Sequence, residues 1–118
     1  MIAQLMGLSS ISPSDLDQRM RTEPVLVIDV NSEASWLAAR VPGARHLDPA
    51  SFASEDLPGD RTTLMVFYCS NPLCRKAPNA ARRAKAMGYG NVHVMSGGIN
   101  GWRGASLPTE AGAPTNGR

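Results

Sequence analysis

Apolar residues along the chain form strand-like runs separated by segments with helical spacing. Residues 24–30 and 63–68 are dominated by β-branched, aromatic and long apolar side chains, without polar alternation. Such runs are typical of strands covered on both faces, as in a parallel sheet. Shorter runs at 45–47 and 92–95 predict two further strands.

Helical patterns lie between these runs. Residues 12–22 begin with Ser-Pro-Ser-Asp, a sequence that favours a helix start capped by Ser12. Residues 76–87 carry small apolar residues at every third or fourth position, with Gly88 as a left-handed stop, and Arg82, Arg83 and Lys85 are expected to face water. The remaining predictions are a helix from about residue 32 to residue 40, a surface loop with one helical turn at 48–62, and a helical turn at 99–102. The alternation predicts an α/β fold around a parallel sheet.

Length and composition fit one domain. The chain has 118 residues, of which 42% are hydrophobic and 19% charged, as in ordinary globular proteins. Residues 1–103 are predicted to form the domain, and 104–118, rich in Gly, Pro, Thr and Ala, a loosely attached tail. No apolar run approaches the roughly 18 residues that span a bilayer, and residues 1–7 lack the basic stretch of a secretory signal. The expected location is the cytosol, without a membrane partner.

Charge is distributed unevenly along the chain. Residues 1–60 hold four basic and nine acidic residues, whereas 61–118 hold eight basic residues and one Glu. The second half should therefore favour anionic ligands. Its basic residues are not interleaved with aromatic ones, so nucleic-acid binding is not predicted.

Cys69 occupies a position suited to chemistry. It directly follows the strand predicted at 63–68, and a helix is expected to begin near Lys76. Ligand sites in open α/β sheets lie beyond the carboxyl ends of strands. Loop amides, the helix dipole and the Arg75 cation would favour the thiolate form of Cys69. Cys69 is therefore predicted to be reactive, rather than a buried structural cysteine.

Several short motifs follow one another in a specific order between residues 9 and 103. They are Ile11-Ser12-Pro13 with Leu16, Val27-Ile28-Asp29-Val30, Val41-Pro42-Gly43-Ala44, Val66-Phe67-Tyr68-Cys69, Gly88-Tyr89, Asn91-Val92, and Gly97-Gly98-Ile99 with Trp102. By these motifs the chain resembles the rhodanese family, sulfurtransferase domains that carry sulfur as a cysteine persulfide. The resemblance implies a rhodanese-like α/β fold, with a parallel sheet of about five strands and helices on both faces. It also implies that Cys69 is catalytic and that the following loop binds substrate through Ser70, Asn71, Pro72, Leu73, Cys74 and Arg75.

The loop departs from the common pattern of this family. Five residues separate Cys69 from Arg75, one more than is usual in single-domain rhodaneses. A loop of this length resembles that of the cell-cycle phosphatases and related arsenate reductases, and it suits a larger oxyanion. Pro72 removes one N–H donor, however, and the loop contains no Asp or Glu to protonate a leaving group. Further departures are Asn31, where an Arg is frequent, and Ala39-Arg40 in place of Gly-His.

Cys74 has two interpretations. It is either a small residue at the start of a helix, which is the favoured interpretation, or a resolving thiol that attacks a persulfide on Cys69. The sequence does not show whether the two Cα atoms lie within the roughly 7 Å that a disulfide requires. The Pro72-Leu73-Cys74 segment also leaves open a non-enzymatic redox or sulfur-carrier module.

The preferred hypothesis is a sulfurtransferase-like enzyme. Cys69 would take sulfur from a small anionic donor or a thiol persulfide, and pass it to a thiol, cyanide or a sulfur-acceptor protein. No cofactor is implied, and a metal site is not expected because Cys-x-x-Cys spacing is absent. Asp29 is expected to hold loop amides or cap a helix, and His46 and His93 are expected to be structural.

Overall fold

Five parallel strands form a single sheet in the order β1-β5-β4-β2-β3. They are β1 (Ser9–Ile11), β2 (Val25–Asp29), β3 (Arg45–His46), β4 (Leu64–Tyr68) and β5 (Val92–Met95) in a computed structural model that describes residues 8–113. The predicted α/β fold with a five-stranded parallel sheet is confirmed. The apolar pattern alone missed β1, because this three-residue strand contains only one apolar residue. The predictions for residues 1–7 and for 114–118 lie outside the described residues.

The helices and helical turns predicted from the sequence are present, and two of the helices begin at a capping serine. They are α1 (Pro13–Thr22), α2 (Glu33–Ala38), α3 (Lys76–Ala86) and α4 (Gly98–Gly104), with a short 3₁₀ helix at Ser54–Asp56. The Ser12 hydroxyl accepts the Asp15 amide at 3.1 Å and so caps α1, and Ser32 caps α2 in the same way. Gly88 ends the α3 segment with a φ of +101°. In the described range 8–113, no helix combines the length and the apolar character needed to cross a membrane.

Two apolar cores lie on opposite faces of the sheet. Successive side chains of β4 alternate between them, because strand side chains point to opposite faces. Met65 and Phe67 pack in the core beneath α3, whereas Val66 and Tyr68 pack in the core that contains Trp102 of α4. All five residues of β4 are buried. This double burial explains why β4 is apolar throughout.

The apolar stripe of α3 faces the sheet as predicted, with Ala77, Ala80, Ala81 and Ala84 all buried. Arg82 and Lys85 are exposed as predicted, whereas the prediction is wrong for Arg83, which is partly buried. Its guanidinium donates to the carbonyl oxygens of Pro49 and Phe52, both at 2.9 Å, and lies 4.4 Å from the centre of the Phe52 ring. The loop at 48–62 folds over α3, and its carbonyl groups need donors there.

Residues 105–112 are hydrogen-bonded to the domain, in contrast to the loose attachment expected from their composition. Arg40 and Glu110 exchange two backbone hydrogen bonds, and the Gly112 amide donates to the Leu37 carbonyl at 2.8 Å. Arg40 Nε also donates to Glu110 Oε1 at 3.0 Å, and the Arg40 side chain is only 2% exposed. A buried guanidinium needs a counter-charge, and this segment supplies it.

Glu110→Gln should lower the free energy of unfolding by about 1–2 kcal/mol, because it leaves the buried Arg40 without a counter-charge while Glu110 itself is partly exposed. The Gly43 amide donates a hydrogen bond to the Glu110 carboxylate, and this bond together with the charge of Arg40 holds the pKa of Glu110 below its ordinary value. The carboxylate therefore stabilises the fold above about pH 4.5, and this contribution is lost as the pH falls through the folded-state pKa. Urea unfolding at several pH values measures the difference, with the exposed Glu55→Gln as control. A constant difference down to pH 3 would contradict this role.

Candidate active site

Cys69 lies at the carboxyl end of the central strand β4 and opens the loop that leads to α3. It is 3% exposed, and it is joined by a disulfide to Cys74, with the two Cα atoms 6.4 Å apart. The structure therefore describes the oxidised form of the loop, in which Cys69 is not a thiolate. The thiolate expected from the sequence belongs to the reduced protein and stays a prediction.

The loop contains a tight turn built on Asn71. The Cys74 amide donates to the Asn71 carbonyl at 3.2 Å, and the Leu73 amide donates to Asn71 Oδ1 at 2.9 Å. Pro72 is the second residue of this turn, where its fixed φ is favourable. The expected cradle of loop amides around Cys69 is therefore not formed by these two residues in the oxidised protein. Their N–H groups are held by Asn71 instead.

A cavity of about 110 Å³ opens beside the disulfide. Its lining combines the loop, the start of α3 and the end of β5, and consists of Cys69, Asn71, Pro72, Cys74, Ala77, Pro78, Val94, Met95, Ser96, Gly97 and Gly98. Four of the seven predicted site residues thus meet at one cavity.

The other three predicted site residues lie outside this lining. Ser70 faces Asn31 of the preceding loop, with its Oγ donating to Asn31 Oδ1 at 2.6 Å. Leu73 is 81% exposed, and Arg75 is exposed at the N-cap of α3 without a side-chain capping bond. The positive charge of Arg75 consequently acts from the rim of the site.

The first turn of α4 fixes the backbone at Cys69. The Ile99 amide donates to the Cys69 carbonyl at 2.8 Å, and the Asn100 amide donates to the Ser70 carbonyl at 3.0 Å. These bonds bring the backbone of Gly98 very close to the backbone of Cys69 and Ser70. Gly98 also has a positive φ of +60°. A Cβ atom there would lie 2.6 Å from the Ser70 carbonyl carbon. Only glycine fits this position.

A buried hydrogen-bond network supports the loop from the neighbouring strand. The Asn31 amide donates to Asp29 Oδ1 at 2.8 Å, and the Tyr68 hydroxyl donates to Asp29 Oδ2 at 2.6 Å. Tyr68 in turn accepts the Val41 amide at 3.1 Å. Through the Ser70–Asn31 bond the network reaches the residue next to Cys69. Asp29 thus holds a loop amide, which agrees with the sequence-based expectation.

Burial raises the pKa of both acidic side chains in this network, Asp29 and Tyr68. It raises the pKa of the Asp29 carboxyl, although hydrogen bonds from Tyr68 and Asn31 oppose the shift. Burial and the neighbouring Asp29 raise the pKa of Tyr68 far above its ordinary value, so the phenol stays neutral and acts as a donor.

His46 and His93 do not line the cavity. In the described part of the chain, no three His, Cys, Asp or Glu side chains are grouped to hold a metal ion.

Sequence reasoning missed the roles of Asn31, Tyr68 and Gly98. Asn31 was noticed only as a departure from a family pattern, yet its side chain and backbone bind both Ser70 and Asp29. The available signal was a polar pair, Asp29 and Tyr68, at the ends of two buried apolar runs. Buried polar groups need partners, and these two strand ends are neighbours in the sheet.

These features define an α/β domain with one parallel sheet and a cysteine loop at the carboxyl end of its central strand. The chain belongs to the rhodanese-like domain family, whose sequence profile matches residues 12–105.

Relatives in sequence include a thiosulfate sulfurtransferase, GlpE, of Pseudomonas fluorescens, which is 30% identical over 108 residues that cover 88% of this chain and 93% of that protein. An HTH-type transcriptional regulator of Mycobacterium tuberculosis is 34% identical over 107 residues, which cover 89% of this chain and 46% of the regulator. The chain thus spans less than half of the regulator, but nearly the full length of the sulfurtransferase.

Solved structures share the fold. A protein of Bacillus halodurans superposes with a TM-score of 0.80 at 22% identity, covering 87% of this chain and 77% of that one. A thiosulfate sulfurtransferase of Pseudomonas aeruginosa gives a TM-score of 0.78 at 25% identity. The match covers 94% of this chain and 22% of the Pseudomonas aeruginosa chain.

Gly98→Ala should destabilise the protein by about 2 kcal/mol or more, because the methyl group meets the Ser70 backbone and φ is positive. The Cys69 loop should be displaced as well. Thermal unfolding measures the first effect, and the rate of thiol alkylation in the reduced protein measures the second. Gly104→Ala is the matched control, since a Cβ there meets no atom within 4 Å. Equal stability of the two variants would contradict the close approach at Gly98.

Asp29→Asn should lower the free energy of unfolding by about 1–3 kcal/mol. The Asn31 amide and the Tyr68 hydroxyl donate to different oxygens of Asp29, and an amide replaces one of these oxygens with an NH2 group, which cannot accept. One buried donor is then left without a partner. The control is Asp48→Asn, an exposed carboxylate that accepts a single amide. Unchanged urea unfolding of Asp29→Asn would show that the network does not need two acceptors.

Proposed function

We propose that the reduced protein is a sulfurtransferase that carries a sulfane sulfur as a persulfide on Cys69. The observation that carries the proposal is the position of Cys69 on a cavity of about 110 Å³ at the carboxyl end of β4. A cavity of this volume suits a ligand the size of a few water molecules. Membership of the rhodanese-like family and the likeness to sulfurtransferases named GlpE support it.

The reaction proceeds in two nucleophilic steps. The Cys69 thiolate attacks the outer sulfur of thiosulfate, sulfite leaves with the electron pair of the broken S–S bond, and a persulfide forms on Cys69. A thiol, cyanide or a sulfur-acceptor protein then attacks the outer sulfur and regenerates the thiolate. The cytosolic location and the identity of the acceptor stay predictions.

The surroundings of Cys69 suit a sulfur anion. Ala77, Val94 and Met95 give the cavity an apolar wall, which suits the polarisable outer sulfur of the donor and of the Cys69 persulfide. Positive charge comes from the N-terminal end of α3 and from Arg75 and Lys76 at that end. This charge would stabilise the departing sulfite and the persulfide.

Phosphatase or arsenate reductase chemistry, suggested by the loop length, fits less well. Among the described residues that line the cavity there is no Asp or Glu to protonate a leaving oxygen. Pro72 has no amide proton, and Asn71 holds the amides of Leu73 and Cys74. The reduced protein should therefore show no Cys69-dependent hydrolysis of an aryl phosphate. Release of the aryl alcohol at a rate abolished by Cys69→Ser would favour the phosphatase instead.

Persulfide formation is tested in reduced Cys74→Ser protein treated with excess thiosulfate. Mass spectrometry should show an adduct of about +32 Da on Cys69, with release of about one equivalent of sulfite. The adduct should disappear after addition of cyanide, with formation of thiocyanate. Cys69→Ser is the control and should give neither adduct nor sulfite. Absence of an adduct with both thiosulfate and glutathione persulfide would overturn the proposed function.

A further inference from the structure

We propose that Cys74 is a second catalytic residue, which attacks the persulfide on Cys69 and releases its outer sulfur as sulfide. This inference rests on the proposed function, since the sulfur must first reach Cys69. The observation that carries it is the Cys69–Cys74 disulfide, because this bond is the product that such an attack leaves. The protein would then reduce sulfane sulfur, in addition to transferring it.

The backbone holds the two cysteines at a separation that permits the reaction. Their Cα atoms are 6.4 Å apart, within the roughly 4.4–6.8 Å found in disulfides. The Asn71–Cys74 turn produces this separation, since its hydrogen bond folds Cys74 back towards the start of the loop. Asn at the first position and Pro at the second both favour such a turn. The extra loop residue, which by length alone resembles an oxyanion-binding loop, therefore belongs to a segment that brings a second thiol to Cys69.

Cys74 also lies where the outer sulfur of a persulfide would be held. Both cysteines line the same cavity, and Cys74 is only half-buried, whereas Cys69 is 3% exposed. An external acceptor must diffuse into this cavity before it can react. Cys74 is already there, so its attack is intramolecular and has a high effective concentration.

The step balances without an added oxidant. The Cys74 sulfur attacks Cys69 Sγ, and the bond between Cys69 Sγ and the outer sulfur breaks as the Cys69–Cys74 bond forms. The outer sulfur leaves as hydrosulfide, with the electron pair of the broken bond and the proton released by Cys74. The two cysteine sulfurs are oxidised by one electron each, and the sulfane sulfur is reduced by two. A dithiol reductant then restores both thiols, and the dithiol is itself oxidised to a disulfide.

The experiment is a single turnover without external thiol. Wild-type protein and Cys74→Ser are reduced, freed of reductant under anaerobic conditions and mixed with one equivalent of thiosulfate. Sulfite, sulfide and protein mass are then measured. Wild type should release about one equivalent each of sulfite and sulfide, and become about 2 Da lighter than the reduced protein as the disulfide forms. Cys74→Ser should release sulfite alone and keep an adduct of about +32 Da.

Three controls separate this step from other sources of sulfide. Asn79→Ala changes an exposed side chain of α3 outside the cavity lining, and should behave as wild type. Cys74→Ala should match Cys74→Ser, which guards against an effect of the serine hydroxyl on folding. Once sulfite release is complete, the first-order rate constant of sulfide release should be independent of protein concentration, because the attack occurs within one chain, whereas attack by a second chain would make it rise with concentration.

The outcomes separate the role of Cys74 from the sulfurtransferase proposal. Sulfide from wild type, with at least roughly tenfold less from both Cys74 variants, supports the resolving role. A stable persulfide in wild type, equal to that of Cys74→Ser and without sulfide, overturns the role of Cys74 and leaves the sulfurtransferase proposal intact. Absence of an adduct from Cys74→Ser with thiosulfate and also with glutathione persulfide overturns the sulfurtransferase proposal itself. A rate constant of sulfide release that rises in proportion to protein concentration also overturns the intramolecular step.

Discussion

The hydrogen bond from the buried Tyr68 hydroxyl to Asp29 Oδ2 joins the carboxyl ends of the two central strands. Asp29 and Tyr68 are direct partners in the β2–β4 register, so the sheet brings these two polar groups together. Both loops that leave these strands depend on this bond. The loop after β2 is held through the Asn31 amide, and the loop after β4 is reached through Asn31 and Ser70. An apolar sheet thus ends in a small polar layer, and Cys69 lies at its edge.

Cys69 is positioned from two sides. The polar layer supports the loop through Ser70, and two amides of the first turn of α4 bind the carbonyl groups of Cys69 and Ser70. Neither contact involves the sulfur, which remains free to exchange partners. The loop itself is ordered by Asn71 and Pro72, which direct Cys74 towards Cys69. Rigid backbone on both sides of an exchangeable sulfur is the arrangement that thiol chemistry requires.

Much of this domain could be predicted from sequence because its elements have strong local signals. Strands β2 and β4 are buried on both faces and therefore carry nearly continuous apolar runs, and Ser12, Ser32 and Gly88 mark helix ends by their capping chemistry. Strand β1 gave no such signal, since it is short and only Ile11 is buried. Residues 105–112 were mistaken for a loose tail because small and polar composition does not reveal a backbone pairing with Arg40.

The sequence by itself determined the fold class, the order of the elements and the place of Cys69 at the end of a buried strand. These properties depend on periodicity and on residues that are neighbours in the chain. Only the tertiary structure decided that Cys74 reaches Cys69, that Asp29 meets Tyr68, and that Glu110 neutralises Arg40. Each of these contacts depends on how a turn closes or how strands align. A local pattern such as Asn71-Pro72 favours a turn but does not give the distance between Cys69 and Cys74, and distances across the sheet are set by the packing of the whole domain.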